Sequence, residues 1–302
     1  VTVDTVSPPV HTDPPRAPVP RATDRAIAMF AGKGLTRLLI AVLLVVVCYP
    51  MFWILATSFK NQNEFLDKPL WKLPATLHGS NYVDAWTNGR LGHNALNSLL
   101  VTVPSLAMIL VFGAAAGFAL EVMVWRGRST TLLLIVGGIM VPAQIILLPL
   151  FTIYFKLGLS NTLWPLIITY VGHGLPLTVF LMATYFRGVP REMFEAATID
   201  GAGIYRMFWS VAVPMVRNGL FTVALLMFFS IWNDLLIALT FNVDKNLQTV
   251  QVGLLNFSDE YGSLQYGPLF AAISITVFST LLVYVFINRQ VMRGLTAGSV
   301  KG

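Results

Sequence analysis

The 302-residue sequence holds a single cysteine, Cys48, and few charges: Asp, Glu, Lys and Arg together make up 11%. One thiol excludes an internal disulfide. Its place in an apolar run suggests a small buried hydrophobe. Soluble domains carry about 25% charge, so this chain falls outside that class. A formal net charge of +6 raises nucleic-acid binding, but the basic residues stand at the ends of apolar runs and form no stripe, so no nucleic-acid partner is expected. No phosphate-cradling glycine loop and no metal-ligand spacing is present, so no cofactor or metal is expected on this chain. No clustered catalytic set supports a membrane enzyme. No clear internal repeat supports a self-sufficient ion-coupled carrier, the rival from another class.

What the chain has instead is apolar length. Hydrophobic residues reach 56%, and a bilayer core of about 30 Å needs about 20 of them in a helix. Six stretches meet that length: about 36–59, 97–122, 131–155, 163–186, 216–241 and 268–288. The fold class expected is all-α, a polytopic membrane protein with six transmembrane helices, because helices satisfy their own backbone groups in lipid. Pro50, Pro104, Pro142, Pro149, Pro165 and Pro176 fall within these stretches and are expected to kink them. Gly113-Ala-Ala-Ala-Gly117 lets a second helix approach closely. Residues 1–34, rich in proline, are expected to form a disordered tail. They do not fit a cleaved signal segment, so the first apolar run is expected to remain as an anchor.

Fourteen of the 20 Lys and Arg residues, among them Arg37, Arg126, Arg128, Arg187, Arg191, Arg206, Arg217 and Arg293, share one side if the N-terminus is inside. Lys60, Lys68, Lys72, Arg90, Lys156 and Lys245 fall on the other. The bias predicts both termini in the cytoplasm and puts residues 187–217 there as well. That loop reads as a helix-turn-helix. Pro190 and Glu192 suit a helix start, Ala196 and Ala197 offer a flat helical surface, and Gly201 suits a helix end. Tyr205, Phe208 and Trp209 recur at helical spacing on one expected face.

Glu195-Ala196-Ala197, followed by Gly201 and then by Pro214, resembles the EAA loop of ABC-importer permeases. Val211 and Val213 stand where that motif has Ile and Leu. The C-terminal run from Arg293 to Gly302, Trp232-Asn233-Asp234 and Tyr266-Gly267 extend the likeness. They are similar to the carbohydrate-importer permeases related to the smaller permease of the maltose transporter. The resemblance covers about residues 36–302. It implies a six-helix permease domain over 35–293, a coupling loop near 187–217 and a cytoplasmic tail over 294–302, in the cell membrane. It implies partners: a second, non-identical permease, two ATPase subunits that bind ATP and Mg, and an extracytoplasmic substrate-binding protein. Glu195, Ala196, Ala197, Asp200, Gly201 and Pro214 would couple to the ATPases, and Thr296, Gly298 and Lys301 would contact them. The cargo implied is a carbohydrate, with a non-sugar such as a glycerol-phosphate diester as the alternative.

Polar groups inside spans are costly and are candidates for function. Trp232, Asn233, Asp234, Gln144 and His173 are therefore the substrate-pathway candidates. Pairing inside the bundle is the commoner use of Asp234 and Gln144, and packing that of His173. Glu121 is expected to pair near Arg126 and Arg128 at a membrane boundary.

Overall fold

The computed structural model describes residues 22–69, 71–242, 244–257 and 264–298, with backbone alone for 22–33, 35 and 286–298. Every regular element among them is helical: α1 (Ala22–Thr57), α2 (Gln62–Asp67), α3 (Ser80–Trp86), α4 (Leu91–Glu121), α5 (Arg128–Gly137), α6 (Ala143–Lys156), α7 (Trp164–Arg187), α8 (Arg191–Ile199), α9 (Ile204–Met207), α10 (Val213–Met215), α11 (Arg217–Trp232), α12 (Leu236–Phe241), α13 (Val250–Gly253) and α14 (Tyr266–Gly298). The chain divides into two units, residues 1–53 and 54–302.

The first unit holds most of α1, whose apolar part, Thr36–Thr57, has a mean hydropathy of 2.8. Residues 1–21 of the expected tail lie outside the described residues. Residues 22–34 are helical where a tail is expected, consistent with the strong helix formers Ala22, Ala26, Ala28 and Ala31. Cys48 is exposed, where a buried position is expected.

The second unit is organised by the pairing of α4 with α7. A methyl group on Gly117 would lie 2.8 Å from the Met182 side chain, and one on Gly174 would lie 2.8 Å from Ile109. One on Gly113 would collide with Thr178. Gly113 and Gly117, the small residues expected to admit a neighbour, therefore do so, and Gly174 of α7 adds a close approach beyond those expected. Such close backbone approach replaces the hydrophobic drive that lipid does not supply. Ile109, Leu166, Met182, Phe186 and Val223 are fully buried in the resulting core.

Among the described residues, four helices are long and apolar enough to cross a membrane, or up to six if each of two bent pairs counts as one span. The first pair, 128–140 and 143–156, bends by 94°. At its corner Val141 and Pro142 are both extended. Proline forces the residue before it out of the helical region, so Pro142 breaks a helix where the sequence suggests a kink. Pro165 sits in the first turn of α7, where a missing N–H costs nothing. Pro50, Pro104, Pro149 and Pro176 lie inside continuous helices. The second bent pair, 204–215 and 217–232, turns by 76° at Val216.

Candidate functional site

In the loop between α7 and α11, Pro190 stands immediately before α8, at φ −55° and ψ 131°. The end of α8 is a Schellman turn. Gly201 has φ +73°, the Ala202 N–H donates to the Ala197 carbonyl at 2.9 Å, and the Gly201 N–H donates to that of Thr198 at 3.0 Å. Glycine takes this left-handed position without the Cβ penalty of other residues. The chain then re-enters a helix at Ile204, passes through a π-helical turn at Phe208–Ala212, and reaches Pro214 in α10 before the bend.

Which way α8 faces differs from the flat Ala196–Ala197 surface expected. Phe194 and Ala197, one turn apart, are buried, whereas Glu195, Ala196, Asp200 and Gly201 are exposed. Residues three apart share a helix face, so Ala197 follows Phe194 inward and only Ala196 remains on the open side. Tyr205, Phe208 and Trp209 likewise separate. Phe208 is buried, while Tyr205 is 81% and Trp209 55% exposed. Ile199, next to the turn, is 86% exposed.

The buried rings converge on Phe118 of α4. Its centroid lies 5.7 Å from Phe186 of α7, 6.1 Å from Phe194 of α8 and 5.3 Å from Phe208, all edge-on. Edge-to-face rings attract beyond their buried area, so one side chain ties the loop to the two central helices. Beside it, Glu121 accepts two bonds from Arg187, at 3.2 Å from Nε and 3.0 Å from Nη2. Arg187 is thus the partner of Glu121, and Arg128 donates to the Glu121 and Met123 carbonyls instead. A cavity of about 300 Å³ opens here, with Glu121, Arg187, Arg191, Phe194 and Glu195 in its walls. Glu195 makes no ion pair among the described residues. Thr296 and Gly298 lie on the backbone of α14, which extends past the expected boundary at residue 293. Lys301 lies outside the described residues.

The pathway candidates scatter. The expected fifth span breaks between α11 and α12, and Asp234 fills the break. Its Oδ2 accepts from Tyr170 Oη at 2.8 Å and from the Ile237 and Ala238 N–H groups at 3.0 and 3.1 Å. Asp234 therefore pairs within the bundle, tying α7 to the start of α12, where a carboxylate suits the exposed N–H groups. Asn233 is exposed and donates to the Phe229 carbonyl at 3.0 Å. Trp232 stacks on Phe228 at 5.6 Å, and its buried indole N–H has no acceptor among the described residues. Gln144 and His173 are exposed, with no hydrogen bond among the described residues. Gln251 approaches the break from α13, its Nε2 donating to the Trp232 carbonyl at 3.4 Å and to Asn233 Oδ1 at 3.5 Å. Neither Gln251 nor Phe118 stands out in the sequence, since their partners lie far along the chain.

Residues 94–294 match the family model described as "Binding-protein-dependent transport system inner membrane component". The chain is 36% identical over 258 residues to a diacetylchitobiose uptake system permease protein of Streptomyces coelicolor, covering 85% of each. It is 30% identical over 265 residues to a trehalose/maltose transport system permease protein of Thermococcus litoralis, covering 87% of this chain and 95% of that protein. In fold it is similar to a chain of a bacterial ABC transporter involved in the import of the acidic polysaccharide alginate. That likeness has a TM-score of 0.75 at 22% identity and covers 90% of this chain and 99% of the other. With its helical spans, its Schellman-ended loop and two thirds of its length matched, the chain belongs to the family of binding-protein-dependent transport system inner membrane components.

Proposed function

We propose that this chain is the permease subunit of an ATP-driven importer that moves a carbohydrate, a disaccharide or oligosaccharide, into the cytoplasm by alternating access. Two ATPase subunits bind ATP and Mg and grip the loop at Glu195, Ala196, Asp200 and Gly201. A second permease completes the pathway, and an extracytoplasmic binding protein delivers the sugar. Both termini face the cytoplasm, in keeping with the Lys and Arg bias. The observation that carries this reading is the loop itself: an outward Glu195 with no ion pair among the described residues, on a helix whose inner face is fixed through Phe118 to α4 and α7.

ATP closure of the ATPases displaces the loop, and the ring contacts pass that displacement to the two central helices. Each ligand acts by favouring one of two pathway states. Pro214 and the 76° bend after it turn the loop into α11. Ala197 and Phe194 serve inside the lever, and the exposed Ile199 and Tyr205 supply apolar surface to the ATPase cleft. The end of α14, with Thr296 and Gly298, reaches the ATPases as a second contact, and Lys301, later in the sequence, joins it.

The sugars named for the relatives supply the test. The complete complex, reconstituted with its partner subunits, is offered maltose, trehalose and diacetylchitobiose. One of them should stimulate ATP hydrolysis. Transport by the purified chain alone down an ion gradient would contradict the reading.

A further inference from the structure

Beside the α11–α12 break lies a pocket of about 310 Å³, at the small end of the roughly 300–1,000 Å³ typical of ligand sites. Asn233, Gln251, Thr276 and Thr280 are its hydrogen-bonding side chains, and Leu254 and Ile273 belong to its apolar wall. It therefore joins residues of α11's end, α13 and α14 that are distant in sequence.

The polar groups have capacity to spare. Thr276 Oγ1 donates to the Ala272 carbonyl at 2.8 Å, and Thr280 Oγ1 to that of Thr276 at 2.7 Å. Each hydroxyl keeps lone pairs open to a donor. The two contacts of Gln251 Nε2, at 3.4 and 3.5 Å, are at the long limit of a hydrogen bond and are readily exchanged.

We propose that Asn233, Gln251, Thr276 and Thr280 form a saccharide-contacting subsite on this chain. A sugar ring presents an apolar C–H face and several hydroxyls, each both donor and acceptor, and this pocket offers the complement of both. A lipid chain would satisfy the apolar wall alone and leave the spare hydrogen-bonding capacity of the two carboxamides and two hydroxyls unused. Asp234 is not part of the subsite, because its engaged oxygen is held by Tyr170 and α12. The assignment rests on the sugar-importer reading above, which it deepens by naming contacts.

The test uses the complete reconstituted complex with maltose, trehalose and diacetylchitobiose, reading the ATPase rate against sugar concentration. Gln251→Ala and the near-isosteric Thr280→Val should each raise KM for the stimulating sugar, about tenfold for Gln251→Ala, with a smaller change in kcat. Gln251→Glu, which keeps an acceptor, should recover part of that loss. A responsive wild type with KM unchanged in both variants overturns the subsite alone. Complexes that no longer assemble with the second permease also overturn it, since the pocket would then belong to the subunit contact. A wild type unresponsive to all three sugars overturns the importer reading and the subsite together.

Discussion

The two ends of α4 are held by different means: the C-terminal end mainly by aromatic rings, with the Glu121–Arg187 pair beside them, and the N-terminal end by hydrogen bonds to backbone and side-chain groups. At the C-terminal end, Phe118 meets three aromatic rings from α7, α8 and the π-turn. At the N-terminal end, Asn97 Nδ2 donates to the carbonyls of Asn246 and Gln248 at 2.8 and 3.1 Å, and Ser98 Oγ accepts from the Val250 N–H at 2.9 Å. Arg90 Nη2 donates to Asn246 Oδ1 at 2.8 Å. Helix α4 is about 46 Å long at 1.5 Å per residue, so the two ends experience separate surroundings. Ring contacts hold a distance without fixing one direction, which suits a joint that transmits movement. Directional hydrogen bonds fix register, which suits an anchor. In the proposed cycle the loop end moves as a lever against a pinned opposite end.

Removing the joint should have the largest effect. Phe118→Ala should lower stability by about 3–5 kcal/mol and weaken coupling between ATP hydrolysis and uptake, read by thermal unfolding of the purified complex and by sugar stimulation. If it left both unchanged, the contrast between the ends would fail. Asn97→Leu should follow at about 1–3 kcal/mol, since it leaves two carbonyls without their donor, while sparing coupling more than Phe118→Ala does. Tyr170→Phe, at the α11–α12 break, should cost about 1–2 kcal/mol by removing a hydrogen bond to a charged acceptor. Gly201→Ala should cost about 1 kcal/mol, because a Cβ meets no neighbour but strains φ +73°. Proteolysis of the loop would report this better than global unfolding.

The smallest effect is acid sensitivity near α2. The hydrogen bond from Lys68 at 2.8 Å, then that from the Ala75 N–H at 3.1 Å, hold Glu64 below the usual carboxylate range, against a smaller opposing effect of burial. The folded state therefore binds the proton less readily than the unfolded state. The stabilisation is complete above the unfolded value, about 4.3, and fades as pH falls through the lower folded one. Glu64→Gln should flatten that acid limb of the unfolding curve and leave neutral pH coupling unchanged.

What the sequence made legible was local. The apolar runs locate the spans, the small residues at 113 and 117 announce a close neighbour, and Gly201 marks the end of α8. Each depends on residues within a few positions of one another. The inward turn of Ala197 follows from Phe194 three residues before it and was open to the same reasoning. The break at Asp234 was not, because it depends on Tyr170, 64 residues away. Nor was the Phe118 joint, whose partners come from three later elements. The 94° corner at Val141–Pro142 was only half legible: proline signals a disturbance, but whether a helix kinks or breaks depends on what the two halves pack against.

The claim that the loop is a rigid lever is most directly tested by one distance. Ile199 is 86% exposed and Ala115 of α4 is exposed, so spin labels at Ile199→Cys and Ala115→Cys, with the lone Cys48 changed to serine, should leave the packing undisturbed. The distance between them is measured in the reconstituted complex with and without ATP. A rigid joint through Phe118 predicts the same distance in both states. A change of about one helical turn, roughly 5 Å, would contradict the account by showing that the loop moves independently of α4.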